Sequence, residues 1–177
     1  MITKNGYKMF GVRMTDWNLS AGSFDPRVAL VTTSGTSITT VIPGQNQDDK
    51  IHYLMNTYAS KVTNKGVVFG TGSTPVTLDD YTISGDYIPN LTMNVQQRYG
   101  RLDDDGYVIG AKYLITNNNK ESVTIKEIAV NVNTFQNSAS ANGVVMAERT
   151  VLASPVTIPS GEIGTITYEI KLKYPTA

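Results

Sequence analysis

The chain has no cysteine among its 177 residues. That excludes disulfides, thiolate zinc centres, iron–sulfur ligation and thiol nucleophiles, and it fits folding in a reducing cytosol. Histidine occurs once, at His52, so no histidine pair is available to hold a metal. Charge is scarce as well: 17% of residues are charged, against about a quarter in ordinary domains. Lys+Arg and Asp+Glu balance at 15 each, so the basic footprint that nucleic-acid binding requires is missing. No run approaches the ~18 apolar residues of a membrane-spanning helix. The first residues, Met1 to Gly11, contain no apolar stretch of the kind a secretory signal needs. The expected partners therefore include neither nucleic acid nor membrane.

Thr, Asn, Ser and Gly take the place of charge. A surface rich in hydroxyls and amides suits a protein whose faces are contacted by neighbours. The length fits one domain, and a chain of this size can bury roughly 70% of the surface its unfolded form exposes. It needs no metal or disulfide to hold a core.

The last third is close to a continuous β pattern. Val123 and Ile125 alternate, the period slips at Lys126-Glu127, and it resumes at Ile128, Val130 and Val132. Such a slip is what a β-bulge produces. Pro155 and Pro159 confine Val156–Ile158 to an edge strand or a strand end, and Ser160-Gly161 reads as a turn. From Thr165 to Leu172, Ile166, Tyr168, Ile170 and Leu172 share one face, the pattern of a half-solvated antiparallel strand. Upstream, Leu91, Met93 and Val95 alternate, as do Tyr107, Ile109, Ala111 and Tyr113. Between them Asp103-Asp-Asp-Gly106 is a hairpin signal, because Asp-Gly supplies positive φ cheaply. Asn117 to Glu121 is the next turn. Gly66–Gly70 is a short apolar strand, followed by a loop with a turn at Asp79-Asp80, and Asn133 to Gly143 is an exposed polar loop.

One helix is expected over residues 48–62, where Ile51, Leu54, Met55, Tyr58 and Val62 form a single stripe. Asp48 and Asp49 suit its start, and Gly66 follows its end. Residues 1–45 read as an extended N-terminal arm with strand candidates at Val28–Val31 and Ser37–Ile42. Residues 46–177 then form the main domain. The predicted fold is mainly β: an antiparallel β-sandwich of about seven strands, immunoglobulin-like or jelly-roll-like, with one amphipathic helix.

The search for chemistry yields little. His52 lies on the expected helix, where packing or solvent contact explains it, and no Gly-x-Ser-x-Gly elbow is present to place a serine nucleophile. An EF-hand loop begun at Asp103 needs a glutamate where Leu114 stands, so Asp103, Asp104 and Asp105 read as a solvated hairpin tip. Gly70-Thr-Gly-Ser-Thr-Pro75 has neither the third glycine of a dinucleotide fingerprint nor the Gly-Lys-Ser/Thr of a P-loop. Its glycines read as turn formers. Asp79, Asp80 and Asp86 with nearby tyrosines could in principle serve a sugar cleft, but tyrosine is equally at home in strands and at interfaces. No catalytic, metal or cofactor residue is assigned, and the chain is not expected to be an enzyme. The candidate interface residues are Trp17, Phe24, Tyr81, Tyr87 and Phe135. Trp17 fits either a local core plug or an anchor on another subunit.

Three blocks carry a family resemblance. They are Gly66-Val-Val-Phe-Gly-Thr-Gly-Ser-Thr-Pro-Val-Thr-Leu-Asp-Asp-Tyr81, Thr116-Asn-Asn-Asn-Lys-Glu-Ser-Val-Thr-Ile-Lys-Glu-Ile128, and Arg149-Thr-Val-Leu-Ala-Ser-Pro-Val-Thr-Ile-Pro-Ser-Gly-Glu162 running into Thr165–Tyr168. In this order, and after an amphipathic helix, the set resembles virion structural proteins of tailed bacteriophages over residues 48–172. The first 45 residues match nothing in that family. The resemblance implies a capsid auxiliary or decoration protein, present in many copies or as a homo-oligomer, with the major capsid protein as its main partner. It also implies assembly in the bacterial host cytoplasm and residence in the virion. A tail, collar or fibre accessory and a host-surface glycan-binding module are the alternatives. The family has no defined active site, so no residue role carries over.

Overall fold

The structure, a computed structural model, describes residues 1–8, 27–41, 66–134 and 143–173. The expected helix at 48–62 with His52, and the candidate residues Trp17, Phe24 and Phe135, lie outside the described residues.

The described residues are mainly β, with eight strands in antiparallel sheets. The strands are β1 (Arg27–Val31), β2 (Ser37–Val41), β3 (Gly66–Gly70), β4 (Leu91–Asp103), β5 (Gly106–Asn117), β6 (Val123–Thr134), β7 (Gly143–Ile158) and β8 (Ile163–Lys173). β1 and β2 form a hairpin, β3-β6-β7 a first three-stranded sheet, and β4-β5-β8 a second. One hydrophobic cluster joins the two larger sheets. Val67, Phe69, Ile125, Ile128 and Val130 come from the first, and Met93, Ala111, Tyr113, Ile115, Ile166, Tyr168 and Ile170 from the second. The alternation read in β8 holds: Ile166, Tyr168 and Ile170 are buried and Leu172 packs against the cluster.

The predicted bulge is present. The β6–β7 register shifts between Ile125 and Glu127, setting Lys126 out of step. On the facing strand the same shift takes up Leu152 to Pro155, since Ile125 pairs with Val156 and Glu127 with Val151. Pro155, which cannot donate to a ladder, sits in this displaced stretch of an edge strand.

The β4–β5 turn falls at the predicted place, with Asp103 paired to Gly106, but for another reason. Gly106 does not have a positive φ, unlike Gly35, Gly66 and Gly161 among the described residues. A Cβ on Gly106 would crowd the Leu172 carbonyl oxygen of β8 at 2.5 Å, so glycine is required there by close approach of the third strand. The alternation at Tyr107 and Ile109 also weakens near this tip. Tyr107 is exposed, while Val108 on the opposite face is buried. Val108 is flanked in register by Arg101 and Lys171, long side chains whose aliphatic stems shield such a position.

Within the stretch read as an extended arm, residues 4–8 make a helical turn, and β1–β2 is a hairpin. Both pack on the outer edge of β7, through the bridges Ile2–Glu148 and Thr32–Val145. Thr3 acts as the N-cap of the helical turn, its hydroxyl accepting from the Gly6 amide at 3.2 Å.

Candidate functional site

Residues 71–90 carry the chain from β3 to β4, from one sheet to the other, without regular structure. A connection this long inside a compact fold is generally functional or tightly tethered. Here it lies over the face of the first sheet that points away from the shared core. There Val68, Ala129 and Met146 form a second cluster with Ile83 of the loop, and Tyr87 packs against it. β3 is consequently buried along its whole length. Backbone bonds stitch the loop to the edge of β3: Thr71 N donates to Asp86 O at 3.1 Å, and Ile88 N to Phe69 O at 2.9 Å.

The anchor of this loop is a buried ion pair. Glu127 of β6 and Arg149 of β7 are both essentially inaccessible to solvent. Arg149 Nε donates to Glu127 Oε2 at 2.8 Å, Nη1 to Asp80 Oδ2 at 2.6 Å, and Nη2 to Ser84 Oγ at 2.7 Å and Thr74 O at 2.8 Å. Glu127 accepts further bonds from the amides of Gly72 (2.8 Å), Ser84 (3.0 Å) and Gly85 (2.9 Å). A buried pair is tolerated only when its remaining donors and acceptors are met in this way. The glycines of the loop are explained by the same packing. A Cβ on Gly72 would overlap Ser84 Oγ, Glu127 Oε1 and the Gly85 amide, and one on Gly85 would overlap Gly72. The Gly70-Thr-Gly72 segment is thus a point of close approach, where the sequence reading had expected turn formation.

Burial pushes the Glu127 carboxyl up, but the Ser84 amide, the Arg149 guanidinium and the Gly85 amide together outweigh it and leave it below its ordinary value. Asp80 behaves alike: burial raises it, and the Thr77 amide and hydroxyl with Arg149 bring it below the usual carboxylate range. Glu148 has the opposite sign, raised by burial despite the α-ammonium of Met1 at 2.5 Å. Carboxylates with depressed folded-state values stabilise the fold above their unfolded pKa, and this stability is lost as pH falls through the folded pKa. Urea unfolding across a pH series should therefore show stability falling as acid passes below the ordinary carboxylate range. Glu127→Gln should flatten that fall. Glu148, with its raised value, contributes stability that is lost as pH rises just above the ordinary carboxylate range, so Glu148→Gln should remove a decline there. Parallel slopes for wild type and Glu127→Gln would remove Glu127 from the acid response.

Several other polar groups are paired. Asp79 pairs with Lys4 Nζ at 2.5 Å, and the Asp86 amide donates to Thr71 Oγ1. Lys171 bridges Asp103 and Asp105 at the hairpin tip. Tyr99 Oη and Arg101 Nη1 both donate to Glu169, at 2.5 and 2.8 Å. Among the described residues no group of three or more acidic or histidine side chains is placed to hold a metal.

Of the interface candidates, Tyr81 is 41% exposed, and its ring lies beside Gly35 in the β1–β2 turn. Tyr87 is half-buried, accepting from Asn131 Nδ2 at 3.4 Å and pairing with Gly70. Tyr99 stands on β4, so Tyr81, Tyr87 and Tyr99 occupy three separate settings. Among the described residues the other exposed large apolar side chains are Met1, Tyr7, Leu78, Leu102, Tyr107 and Ile163.

Sequence reasoning missed Arg149, Glu127 as its partner, and Asn117. The fully buried Asn117 donates from Nδ2 to Ile158 O at 2.9 Å and to Glu121 O at 2.8 Å, and its Oδ1 accepts from Asn119 N at 2.9 Å. It ties the β5–β6 turn to the end of β7. The available signal was charge inside apolar strands, Glu127 beside Ile128-Ala-Val130 and Arg149 after Met146-Ala147. Compared with protein-family models, with curated proteins and with solved structures, the chain finds no match.

Proposed function

We propose that the chain is a non-enzymatic structural component of a tailed-phage virion, an auxiliary or decoration protein bound to the capsid. The observation that carries this reading is the ordered set of three blocks at 66–81, 116–128 and 149–168. In the fold these blocks meet at one point: Gly72, Thr74 and Asp80 of the first, Glu127 of the second and Arg149 of the third share the buried ion-pair lattice. A shared anchor gives a physical reason for such blocks to recur together. The two larger sheets, enclosing one cluster, are read as an antiparallel β-sandwich, with the N-terminal stretch as an appendage to it.

The low charge fits a binding role. So do the outer edges of β4 and β8, which no strand pairs with among the described residues. Uncovered edges are sites where another chain adds. The partner in this reading is the capsid shell, and the location is the virion. Cryo-electron microscopy of purified particles, with mass spectrometry of their proteins, tests it. Many copies distributed over the shell are expected. Copies confined to a single vertex would transfer the reading to a tail or collar accessory, and absence from particles would end it.

A further inference from the structure

Residues 1–8 are seated on the outer edge of β7, against β1 and the crossover loop. Thr3 N donates to Ala147 O at 3.0 Å, Arg149 N to Met1 O at 3.1 Å, and Lys4 N to Leu78 O at 2.9 Å. The seat dictates two neighbouring positions of this segment. At position 5 the buried side chain completes the end of β1: Asn5 Nδ2 donates to Val31 O at 2.7 Å, and Oδ1 accepts from Val31 N at 3.1 Å. Asparagine carries a donor and an acceptor on one short amide, as this pair demands. At position 6 a Cβ would overlap the Ala147 carbonyl oxygen and Ile2 Cγ2, so the residue is glycine.

The seat therefore requires an Asn-Gly pair, and Asn-Gly is chemically labile. With no Cβ beside it, the glycine amide nitrogen can reach the asparagine side-chain carbonyl carbon. A bond forms between Gly6 N and Asn5 Cγ and the Cγ–Nδ2 bond breaks. The Gly6 N–H proton passes through solvent to Nδ2, which leaves as ammonia. Water then opens the cyclic imide at either carbonyl, giving an aspartate at position 5 or an isoaspartate whose main chain runs through Cγ.

The seated geometry blocks this reaction by turning nucleophile and target to different partners. The Gly6 amide donates to Thr3 Oγ1 at 3.2 Å, while both polar atoms of the Asn5 amide are held by Val31. Thr3 Oγ1 is fixed in turn by its bond to Met146 O at 2.7 Å. Tyr7 N closes the helical turn on Thr3 O at 2.9 Å. The reaction thus needs the segment lifted from β7, and terminal segments open locally more readily than core strands. The product does not fit back. A carboxylate at position 5 has no donor for Val31 O, and it sets negative charge against that carbonyl at a buried site. The isoaspartate adds a backbone atom to the helical turn as well.

We propose that Asn5-Gly6 is a modification site, a deamidation point that the seat shields and that, once converted, keeps residues 1–8 from reseating. Seating on β7 is then lost in one direction as the protein ages. Its loss bares the Ala147 carbonyl and the Arg149 amide on the outer edge of β7, and an uncovered edge is where another strand adds. The inference is independent of the virion reading.

Full-length wild type and Thr3→Val, which removes the hydroxyl bonded to Gly6 N and Met146 O, are incubated at mildly alkaline pH, each folded and in urea. Peptide mapping by mass spectrometry follows position 5 separately from the second Asn-Gly pair, Asn142-Gly143. Deamidation at position 5 of the folded wild type is expected to run at least about tenfold slower than in urea, since several hydrogen bonds must open first. Folded Thr3→Val should fall between these rates, and the two chains should convert alike in urea. Exchange of the Arg149 backbone amide should be faster in aged wild type and in fresh Asn5→Asp than in fresh wild type, with circular dichroism unchanged. Equal rates for folded and unfolded wild type, a folded Thr3→Val no faster than wild type, or wild-type Arg149 exchange in Asn5→Asp overturns the proposal.

Discussion

Arg149→Met is expected to lower the free energy of unfolding by about 3–5 kcal/mol. The substitution preserves most of the side-chain volume and removes the charge that holds Glu127, which has no solvent exposure, and Asp80 of the crossover loop. A carboxylate left in that position has lost its counter-charge and cannot be reached by water, and the Thr74 carbonyl and the Ser84 hydroxyl lose a donor. At ~2–4 °C per kcal/mol for a chain of this size, the melting temperature should drop by about 6–20 °C. Adding Glu127→Gln should recover part of the loss, because a neutral amide at Glu127 removes the uncompensated charge while its oxygen still accepts from the Gly72 and Gly85 amides. Urea unfolding of the wild type and the two variants decides it. A loss below about 1 kcal/mol would mean that the pair behaves like a solvated surface bridge.

Ile125→Ala carries the second large effect, an expected loss of about 2–5 kcal/mol. Ile125 has no exposed surface and belongs to the cluster that joins the two larger sheets. It also stands next to the bulge at Lys126, where the backbone is tied on one side to Val156 and on the other to Val151. A backbone held at both ends has little freedom to collapse into the void, which places the loss in the upper part of that range. Ile163→Ala is the matched control: Ile163 is 61% exposed, and its loss should stay within about 0.5 kcal/mol. Calorimetry on both variants checks the contrast. Equal losses would show that the cluster around Ile125 repacks freely.

What could be read from the chain follows from how local each signal is. Period-two alternation at Leu91–Met93 and Ile166–Ile170 needs only neighbouring residues, and both strands appear with those faces buried. The slip at Lys126-Glu127 was visible because a bulge interrupts that same local period. The reason for a glycine was less accessible. Gly72, Gly85 and Gly106 are set by atoms far away in sequence, respectively Glu127, Gly72 and Leu172, and local turn rules cannot detect such neighbours. A charge inside an apolar strand marks Arg149 as unusual, but its partners are hidden on the same grounds. Its partners Glu127, Asp80, Thr74 and Ser84 come from another strand and a loop, and nothing in Met146 to Leu152 announces them. Asn117 looked like the first residue of a turn, and its second role at Ile158 O depends on where β7 ends.

The ion-pair lattice has a consequence for synthesis of the chain. The loop at 71–90 leaves the ribosome well before Glu127, and Glu127 before Arg149. Until Arg149 emerges, the loop has no guanidinium to hold it. The second sheet is completed only when β8 joins the β4–β5 hairpin. Completion of the two larger sheets therefore depends on two pairings between strands distant in sequence, β3–β6 and β5–β8, and such pairings form slowly. A chain truncated before Arg149 would leave Glu127 and Asp80 without their guanidinium and the crossover loop without its anchor.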